Sequence, residues 1–252
     1  MSKTTSKPNT GKLKHIITLG GGGFSMETPV TKPTLLDDYI LRLTGKRKPK
    51  VCFIGTASGD SPTYIEKFTK AFKERAETSA LLLFNRAVDP LEHLLAQDVI
   101  YVGGGNTANL LAVWRLHAVD KALRAAWNNG TVLCGISAGM NCWYEGCSTD
   151  SFGPLAPLGD GLGFIEGAAC PHFDGEAERR PSLKKFVASG RLPTTYAADD
   201  YAAFHFTAEA GVRTATLHRC IKSRVTAGCY VVSKSGKSAE IEALPTELLT
   251  GK

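Results

Sequence analysis

The sequence predicts an α/β protein with a mostly parallel sheet and helices on both faces of that sheet. Three observations lead to this fold class. Short apolar runs recur over the first 145 residues, Gly-rich turns follow most of these runs, and segments with helical spacing separate them. Such runs are typical of strands buried on both faces, and their alternation with helices indicates βαβ units. Sites in such sheets form at the carboxyl ends of the strands, where the turns would lie.

Five strands and three helices are predicted in this first part of the chain. The strands are residues 15–19, 51–54, 80–84, 99–102 and 131–136, and the helices are residues 35–43, 64–76 and 110–127. We call residues 20–23 the first glycine turn and residues 103–105 the second glycine turn. Nothing close to the first glycine turn in sequence completes a site, so we predict no catalytic role for it.

The pattern changes after residue 145. Residues 150–163 are rich in Gly, Pro and Asp and predict a loop, whereas residues 176–189 predict a helix with a basic end. The strand-like segments that follow are residues 202–207, 212–219 and 229–233. Ser235-Gly236 then separates two strand-like segments and predicts a terminal β-hairpin. We expect a single domain over residues 15–252, preceded by a disordered basic tail over residues 1–14.

The net charge of +6 does not indicate a nucleic-acid-binding protein. The first 14 residues contain four Lys and no acidic residue, which leaves a balance of +2 for the rest of the chain. No basic stripe with interleaved aromatic residues occurs, and the apolar runs are far shorter than the ~20 residues of a membrane span. The tail also lacks the apolar region of a secretory signal. We therefore expect no nucleic-acid partner, no membrane association and a cytoplasmic location.

The seven cysteines predict neither a disulfide framework nor a metal site. Their number is odd, several lie within apolar runs, and no Cys/His spacing matches a zinc site. Buried, reduced thiols in a cytoplasmic protein are the expectation. We predict no metal and no organic cofactor.

The sharpest chemical signal is the pentapeptide Gly135-Ile136-Ser137-Ala138-Gly139. It is a G-x-S-x-G sequence that follows an apolar strand and precedes a predicted helix, which is the context of a nucleophile elbow. Such a turn is tight, so the residues that flank the serine must be small. The alternative is a Gly-rich strand-to-helix turn with an incidental serine. The context favours Ser137 as a nucleophile.

The second glycine turn predicts an oxyanion hole. It also lies between a strand and a predicted helix, in Val102-Gly103-Gly104-Gly105-Asn106-Thr107. Glycines allow backbone N–H groups to approach a developing negative charge closely. Phosphate binding at the helix N-terminus and simple capping by Asn106 or Thr107 are the alternatives. The turn is not a Walker A loop, because no Gly-Lys-Ser/Thr follows it.

A serine nucleophile needs a base and an orienting carboxylate. His172 is the preferred base because it occupies a turn-forming context after an apolar run, downstream of the elbow. His205 is the second choice, since strand-like alternation around it favours a structural role. The acid candidates are Asp199 and Asp200, two acids flanked by small apolar residues, although a turn or a helix cap is an alternative. The order Ser, His, acid differs from that of an α/β-hydrolase.

Together these motifs resemble the peptidase E family of serine peptidases, which includes aspartyl dipeptidases and, more distantly, cyanophycinases. The matching pieces are residues 102–107, 135–141, 171–173 and 199–200, in the family's order and at similar spacing, and Asp89-Pro90-Leu91 also fits. The resemblance covers residues 15–235. It implies a class I glutamine amidotransferase-like, flavodoxin-like α/β fold.

The resemblance also implies roles for individual residues. Ser137 is expected to be the nucleophile, His172 the general base, and the N–H groups of Gly105 and Ala138 the oxyanion hole. Asp200 aligns best with the family's third catalytic residue, with Asp199 as the alternative.

Aspartyl dipeptidases of this family hold the acidic side chain of the substrate with a basic residue after the His motif, and Arg179 is the nearest match. A solvated charge at a helix end is an equally good interpretation of Arg179, and this segment departs in length from the family pattern. Asn106 and Asp199 are further expected substrate-binding residues.

These residues predict a serine peptidase that hydrolyses short peptides, with Asp-X dipeptides as the favoured substrates. The alternatives are a serine amidase or esterase, a cyanophycinase-like hydrolase on the same scaffold, or a non-catalytic protein that binds a small anion. A small peptide is the expected partner, and a homodimer remains an open alternative to a monomer.

Overall fold

Two β-sheets and seven α-helices make up the part of the chain that the computed structural model describes, namely residues 13–27, 34–85 and 88–251. The strands are β1 Lys14–Leu19, β2 Lys50–Ile54, β3 Glu77–Leu81, β4 Val99–Val102, β5 Val132–Ile136, β6 Tyr144–Thr149, β7 Ala156–Leu158, β8 Ile165–Cys170, β9 Thr195–Ala198, β10 Ala202–Ala208, β11 Thr216–Lys222, β12 Cys229–Ser235, β13 Ser238–Leu244 and β14 Thr246–Leu248. The helices are α1 Leu35–Arg42, α2 Pro62–Phe72, α3 Pro90–Leu95, α4 Thr107–Leu116, α5 Val119–Asn128, α6 Ala138–Asn141 and α7 Arg179–Ala188.

The larger sheet has eight strands in the order β14-β11-β10-β1-β5-β4-β2-β3. The strands from β1 to β3 in this order are mutually parallel, whereas β10 is antiparallel to both β1 and β11. The register pairs Leu19 of β1 with Ile136 of β5, and Val102 of β4 with Gly135 of β5. The carboxyl ends of β1, β5 and β4 therefore meet at one edge, with β5 in the middle.

Both faces of the four inner parallel strands, β1, β5, β4 and β2, are largely buried, as the continuous apolar runs predict. In β1, Ile16 belongs to one hydrophobic cluster and Ile17 to another, and both side chains are fully buried. In β4, Ile100 and Tyr101 are divided in the same way. Successive side chains of a strand point to opposite faces, so each strand of this kind contributes to two cores. The predicted α/β class with helices on both faces is confirmed.

The second sheet was not predicted as a separate unit. Its six strands have the order β13-β12-β9-β8-β6-β7. The predicted loop over residues 150–163 contains the short strand β7, and the predicted terminal hairpin is confirmed as β12 and β13. The hairpin joins this second sheet through β9 rather than standing alone.

Several predicted element boundaries differ from the structure. The predicted helix over residues 110–127 is two helices, α4 and α5, because the backbone at Ala118 is left-handed with φ of 54° and breaks the helical path. The third strand begins three residues before its predicted start, and β11 begins four residues after its predicted start. The remaining predicted helices agree with α1, α2 and α7 to within a few residues.

The predicted disordered tail lies mostly outside the described residues, which begin at residue 13. Lys14, predicted as the last residue of that tail, begins β1 instead and is 2% exposed. Its Nζ donates to Oδ1 of Asn128 and lies over the ring of Trp127. All seven cysteines are buried free thiols. Over the described ranges, no helix combines the length and the apolar character that crossing a membrane requires.

Candidate active site

Ser137 lies at the carboxyl end of the central strand β5, in a strained turn that leads into α6. Its backbone has φ of 58° and ψ of −114°, values that a non-glycine residue rarely adopts. Gly135 and Gly139 pack so closely that a Cβ at Gly135 would overlap with the Gly139 carbonyl. This is the geometry of a nucleophile elbow, and it explains why the sequence places glycine on both sides of Ser137.

The second glycine turn lies beside Ser137 and presents backbone N–H groups. A Cβ at Gly104 would be 3.2 Å from the Ser137 Cβ, so the two residues are neighbours. Gly105 has φ of 136° and packs against the Ala57 carbonyl, where a side chain would not fit. Across the described ranges, the N–H groups of Gly105 and Ala138 have no protein acceptor.

His172 and Asp200 form a hydrogen-bonded pair near this edge of the sheet. Nδ1 of His172 lies 2.6 Å from Oδ1 of Asp200, and both side chains are partly exposed. Asp174 accepts a hydrogen bond from the backbone N–H of Asp200 at 2.9 Å and fixes that residue from the other side. Because Nδ1 is occupied by Asp200, Nε2 is the ring nitrogen that remains for a proton transfer. In the part of the chain that the structure describes, the Ser137 hydroxyl has no hydrogen-bond partner.

The first glycine turn, for which we predicted no catalytic role, lies directly under this pair. The backbone N–H of His172 donates to the Gly20 carbonyl at 3.3 Å, and the N–H of Tyr201 donates to the Gly21 carbonyl at 3.1 Å. A Cβ at Gly21 would overlap with Oδ1 of Asp200 and lie 3.0 Å from Nδ1 of His172.

The same segment contacts the serine, because the Ser137 N–H donates to the Leu19 carbonyl at 3.2 Å. The sequence does show the Gly run that follows the first predicted strand. It does not show that β1 and β5 end at the same edge of the sheet, which is what brings this run to Ser137.

Backbone strain concentrates at this edge of the molecule. Five non-glycine residues have positive φ in the described ranges, and three of them are Ser137, His172 and Tyr201. Left-handed non-glycine residues are strained and cluster at functional sites. Their concentration here identifies the carboxyl edge around β5 as the candidate active site.

Asp199 points away from His172, unlike its neighbour Asp200. Its Oδ2 accepts from the Gly228 N–H at 2.9 Å and from the Tyr230 hydroxyl at 3.2 Å, and the residue is 2% exposed. Arg180 lies 3.8 Å from its other oxygen. Burial, and then the nearby Asp174 charge, raise the pKa of Asp199. Asp199 therefore joins the end of β9 to the start of β12 through contacts made within the protein.

Arg179 begins α7 and is only 4% exposed. Its guanidinium binds both carboxylate oxygens of Glu176, at 3.0 Å each. Burial acts to lower the pKa of Arg179, but the hydrogen bonds and charge of Glu176 and of other nearby groups raise it overall. The guanidinium also acts on the nearby Cys170 thiol, two residues before His172, where its charge opposes the rise in pKa that burial causes. Arg179 thus lies close to the segment that positions the imidazole, already bound to a carboxylate.

Asn106 caps α4. Its side-chain oxygen accepts from the Asn109 N–H at 2.9 Å, and its amide donates to the Ser151 carbonyl at 2.9 Å. Both polar ends of the side chain therefore have protein partners, as the capping alternative predicts. Contact with a substrate would require one of these bonds to break.

His205 has a structural environment. The imidazole is 2% exposed and lies between the Tyr39 hydroxyl at 2.7 Å and His15 at 2.9 Å. Burial, together with neighbouring cationic groups, lowers the pKa of His205 to about 3. Over the described ranges, no group of three or more His, Cys, Asp or Glu side chains is arranged to hold a metal ion.

Comparisons with known proteins agree on one family. The model of peptidase family S51 matches residues 16–213. An uncharacterised peptidase, YgaJ of Bacillus subtilis strain 168, is 45% identical over 240 residues, which cover 94% of this chain and all of the relative. Peptidase E of Pasteurella multocida strain Pm70 is 29% identical over 206 residues, which cover 77% of this chain and 86% of the relative.

A solved structure supports the fold. The crystal structure of a peptidase from an acI-B1 Actinobacterium aligns with a TM-score of 0.64 at 17% identity, and the match covers 93% of this chain and 98% of that one. The resemblance to peptidase E that the four motifs indicate is confirmed. Since the family model spans well over half of the sequence, the chain belongs to peptidase family S51 and is a hydrolase of peptide bonds.

Proposed function

We propose that this peptidase is a serine dipeptidase that cleaves after an N-terminal aspartate through Ser137, His172 and Asp200. The single observation that carries the proposal is the 2.6 Å hydrogen bond between His172 and Asp200. The backbone of His172 binds Gly20, next to Leu19, which binds the backbone of Ser137 in its elbow conformation. A carboxylate on Nδ1 holds the imidazole in the tautomer whose Nε2 can accept a proton. A serine without an adjacent base would be a weak nucleophile.

In the proposed reaction, the Ser137 hydroxyl attacks the scissile carbonyl while Nε2 of His172 takes its proton. Asp200 stabilises the imidazolium that results. The N–H groups of Gly105 and Ala138 bind the oxyanion, a role supported by their freedom from protein acceptors in the described ranges. His172 then protonates the leaving amine, and water hydrolyses the acyl-enzyme by the same route.

Arg179 supports the proposed preference for aspartate. A buried guanidinium that binds a carboxylate through two hydrogen bonds is a strong and geometrically specific site for an acidic group. Its present partner, Glu176, is about half exposed and can leave without burying a charge. We propose that the substrate's aspartyl carboxylate takes the place of Glu176. Asn106 and Asp199 have a smaller part in this proposal, because both are bound within the protein.

A dipeptide panel tests the proposal. Hydrolysis of Asp-X, Glu-X, Asn-X and Leu-X is measured with the wild type, Ser137→Ala and Arg179→Gln. We expect the wild type to cleave Asp-X by far the fastest, because the Arg179 guanidinium favours an acidic side chain and Glu-X would place its carboxylate one methylene further out. Ser137→Ala should lose roughly 10⁴-fold or more in kcat, as removal of a nucleophile does.

Arg179→Gln separates specificity from catalysis. It should raise KM for Asp-X strongly and bring kcat/KM for Asp-X closer to that for Asn-X. The reason is that the amide of a glutamine at this position cannot form the bidentate pair with a carboxylate. Arg180→Gln is the matched control, since Arg180 is exposed and stacks on Phe173. Cleavage of Leu-X as fast as Asp-X would overturn the specificity. Full activity of Ser137→Ala would overturn the mechanism.

A further inference from the structure

Tyr64 of α2 connects the two glycine turns on either side of the elbow. Its hydroxyl oxygen accepts a hydrogen bond from the Gly104 N–H at 3.3 Å. The Ser25 hydroxyl lies near enough to act on the pKa of Tyr64, which it lowers. Ser25 in turn donates to the Gly22 carbonyl at 3.0 Å. One polar chain thus runs from the second glycine turn, beside Ser137, to the first glycine turn, beneath His172 and Asp200.

The donors and acceptors of this chain balance. Gly104 donates to Tyr64, and Ser25 gives its one proton to Gly22, which leaves the Tyr64 proton for the Ser25 oxygen. Burial raises the pKa of Tyr64, so its hydroxyl keeps the proton that this arrangement needs. Chains in which every member is satisfied are stronger than isolated bonds and favour one arrangement.

The ring of Tyr64 is itself fixed by packing. Its centroid lies 5.0 Å from that of Phe53 and 5.7 Å from that of Phe24, the residue that follows the first glycine turn. A Cβ at Gly103 would lie 3.0 Å from the Tyr64 ring. The hydroxyl is therefore held in place by its neighbours, and the glycine turns gain a rigid point of attachment.

The effect on the site follows from the position of Gly104. Its N–H belongs to the peptide between Gly103 and Gly104, next to the peptide that carries the Gly105 N–H, and glycine backbones rotate readily. Once the Gly104 N–H is bound to Tyr64, one of these two peptides is anchored, and the Gly105 N–H has fewer directions open to it. An oxyanion hole needs this preorganisation, because its donors must already point to where charge develops.

We propose that Tyr64, acting through its hydroxyl and Ser25, is a positioning residue that sets the oxyanion-hole turn relative to His172 and Asp200. The inference rests on the proposed function, in which Gly105 is an oxyanion donor. Tyr64 touches none of the reacting atoms, so it should influence the rate of the chemical step and not the affinity for substrate.

Tyr64→Phe tests this inference, because it removes one oxygen atom and leaves the ring. Tyr39→Phe is the matched control: it removes a half-buried hydroxyl whose partner is His205. For each variant, a fluorophosphonate probe gives the number of active sites and the rate constant of labelling. The dipeptide panel gives kcat per labelled site and KM, so loss of folded protein is not mistaken for loss of rate.

We expect Tyr64→Phe to reach full labelling, with kcat and the labelling rate lowered about 10-fold and KM unchanged, less than the roughly 10²–10³ caused by loss of an oxyanion donor. Tyr39→Phe should match the wild type. Ser25→Ala should lower kcat as well, and Tyr64→Phe with Ser25→Ala should be no slower than Tyr64→Phe alone, because both interrupt one chain.

Two results would overturn the inference, and they are distinguishable. If the wild type is labelled but Tyr64→Phe and Ser25→Ala are labelled at the same rate, the positioning role is wrong and the proposed function stands. If the probe does not label the wild type, the proposed function is wrong and the inference falls with it. Should Tyr64→Phe fail to fold, Ser25→Ala alone decides, since its hydroxyl is only partly buried.

Discussion

Two adjacent aspartates, Asp199 and Asp200, have opposite environments at the candidate site. Asp200 is partly exposed and bound to His172, whereas Asp199 is buried and bound to Gly228 and Tyr230. Sequence alone could not separate them, because side chains that are neighbours along an extended chain point in opposite directions. The strand β9 ends at Ala198, so the register of that strand decides which carboxylate faces the imidazole.

Substitution of each aspartate by asparagine should separate the two environments. Asp200→Asn should lower kcat by about 10²–10⁴, because the amide no longer favours the productive imidazole tautomer or stabilises the imidazolium. Asp199→Asn should keep kcat within about 3-fold of the wild-type value. It should lower the free energy of unfolding, because it weakens the hydrogen bonds to Gly228 and Tyr230. Dipeptide kinetics and thermal unfolding of both variants measure this. A larger kcat loss in Asp199→Asn would reverse the assignment.

Asp37 is a buried carboxylate outside the active site. It is fully buried and accepts hydrogen bonds from Thr34 and from the Tyr101 hydroxyl at 3.1 Å. Burial raises the pKa of Asp37 from 3.8 to about 6, although these hydrogen bonds act in the opposite direction. At pH 7 the folded protein therefore holds an ionised group that burial disfavours.

The free energy of unfolding should therefore depend on pH through the titration of Asp37. Between pH ~4 and ~6 the folded state keeps the Asp37 proton while the unfolded state loses it, so the Asp37 contribution to stability falls as pH rises. Above the folded-state pKa the full penalty of roughly 3 kcal/mol applies. Urea unfolding of wild type and Asp37→Asn should show the variant gaining stability relative to wild type from pH 4 to 7. A difference that does not change with pH would contradict the raised pKa.

At the scale of elements, the site is made by three strand ends and the turns that follow them. β5 supplies the elbow, β4 the second glycine turn and β1 the first glycine turn. The sequence predicted the elbow and the second turn because each carries recognisable chemistry. The role of the first turn could not be predicted, because it depends on β1 lying between β5 and β10, a pairing between residues more than 100 positions apart.

Gly21→Ala tests the role of the first glycine turn. The added methyl group would overlap with Asp200 and press on His172, so we expect a loss of activity of at least about 100-fold, in keeping with the effect of a displaced catalytic group. Gly159→Ala is the control, because a Cβ at Gly159 meets nothing within 4 Å. Both variants are assayed on the same dipeptide after thermal unfolding confirms that they are folded. An active Gly21→Ala enzyme would exclude the turn as a support for His172 and Asp200.

At the scale of the whole molecule, the parallel half was predictable and the second sheet was not. The strands β1, β2, β4 and β5 are continuous apolar runs, and such runs identify strands without knowledge of their partners. The strands β6 to β9 are interrupted by Gly, Pro and polar residues, so their pairing depends on contacts between distant segments. His172 follows β8, a strand of that second sheet. Its position relative to the active-site edge therefore could not be predicted from the sequence.

The proposed mechanism depends on Ser137 being a nucleophile activated by its surroundings. The most direct test is to react the folded protein with a fluorophosphonate probe and to locate the modified residue by mass spectrometry. We expect one label per chain, at Ser137, that disappears in Ser137→Ala and forms more slowly in His172→Ala. A label on another residue, or no label on a folded wild-type protein, would show that Ser137 is not an activated nucleophile.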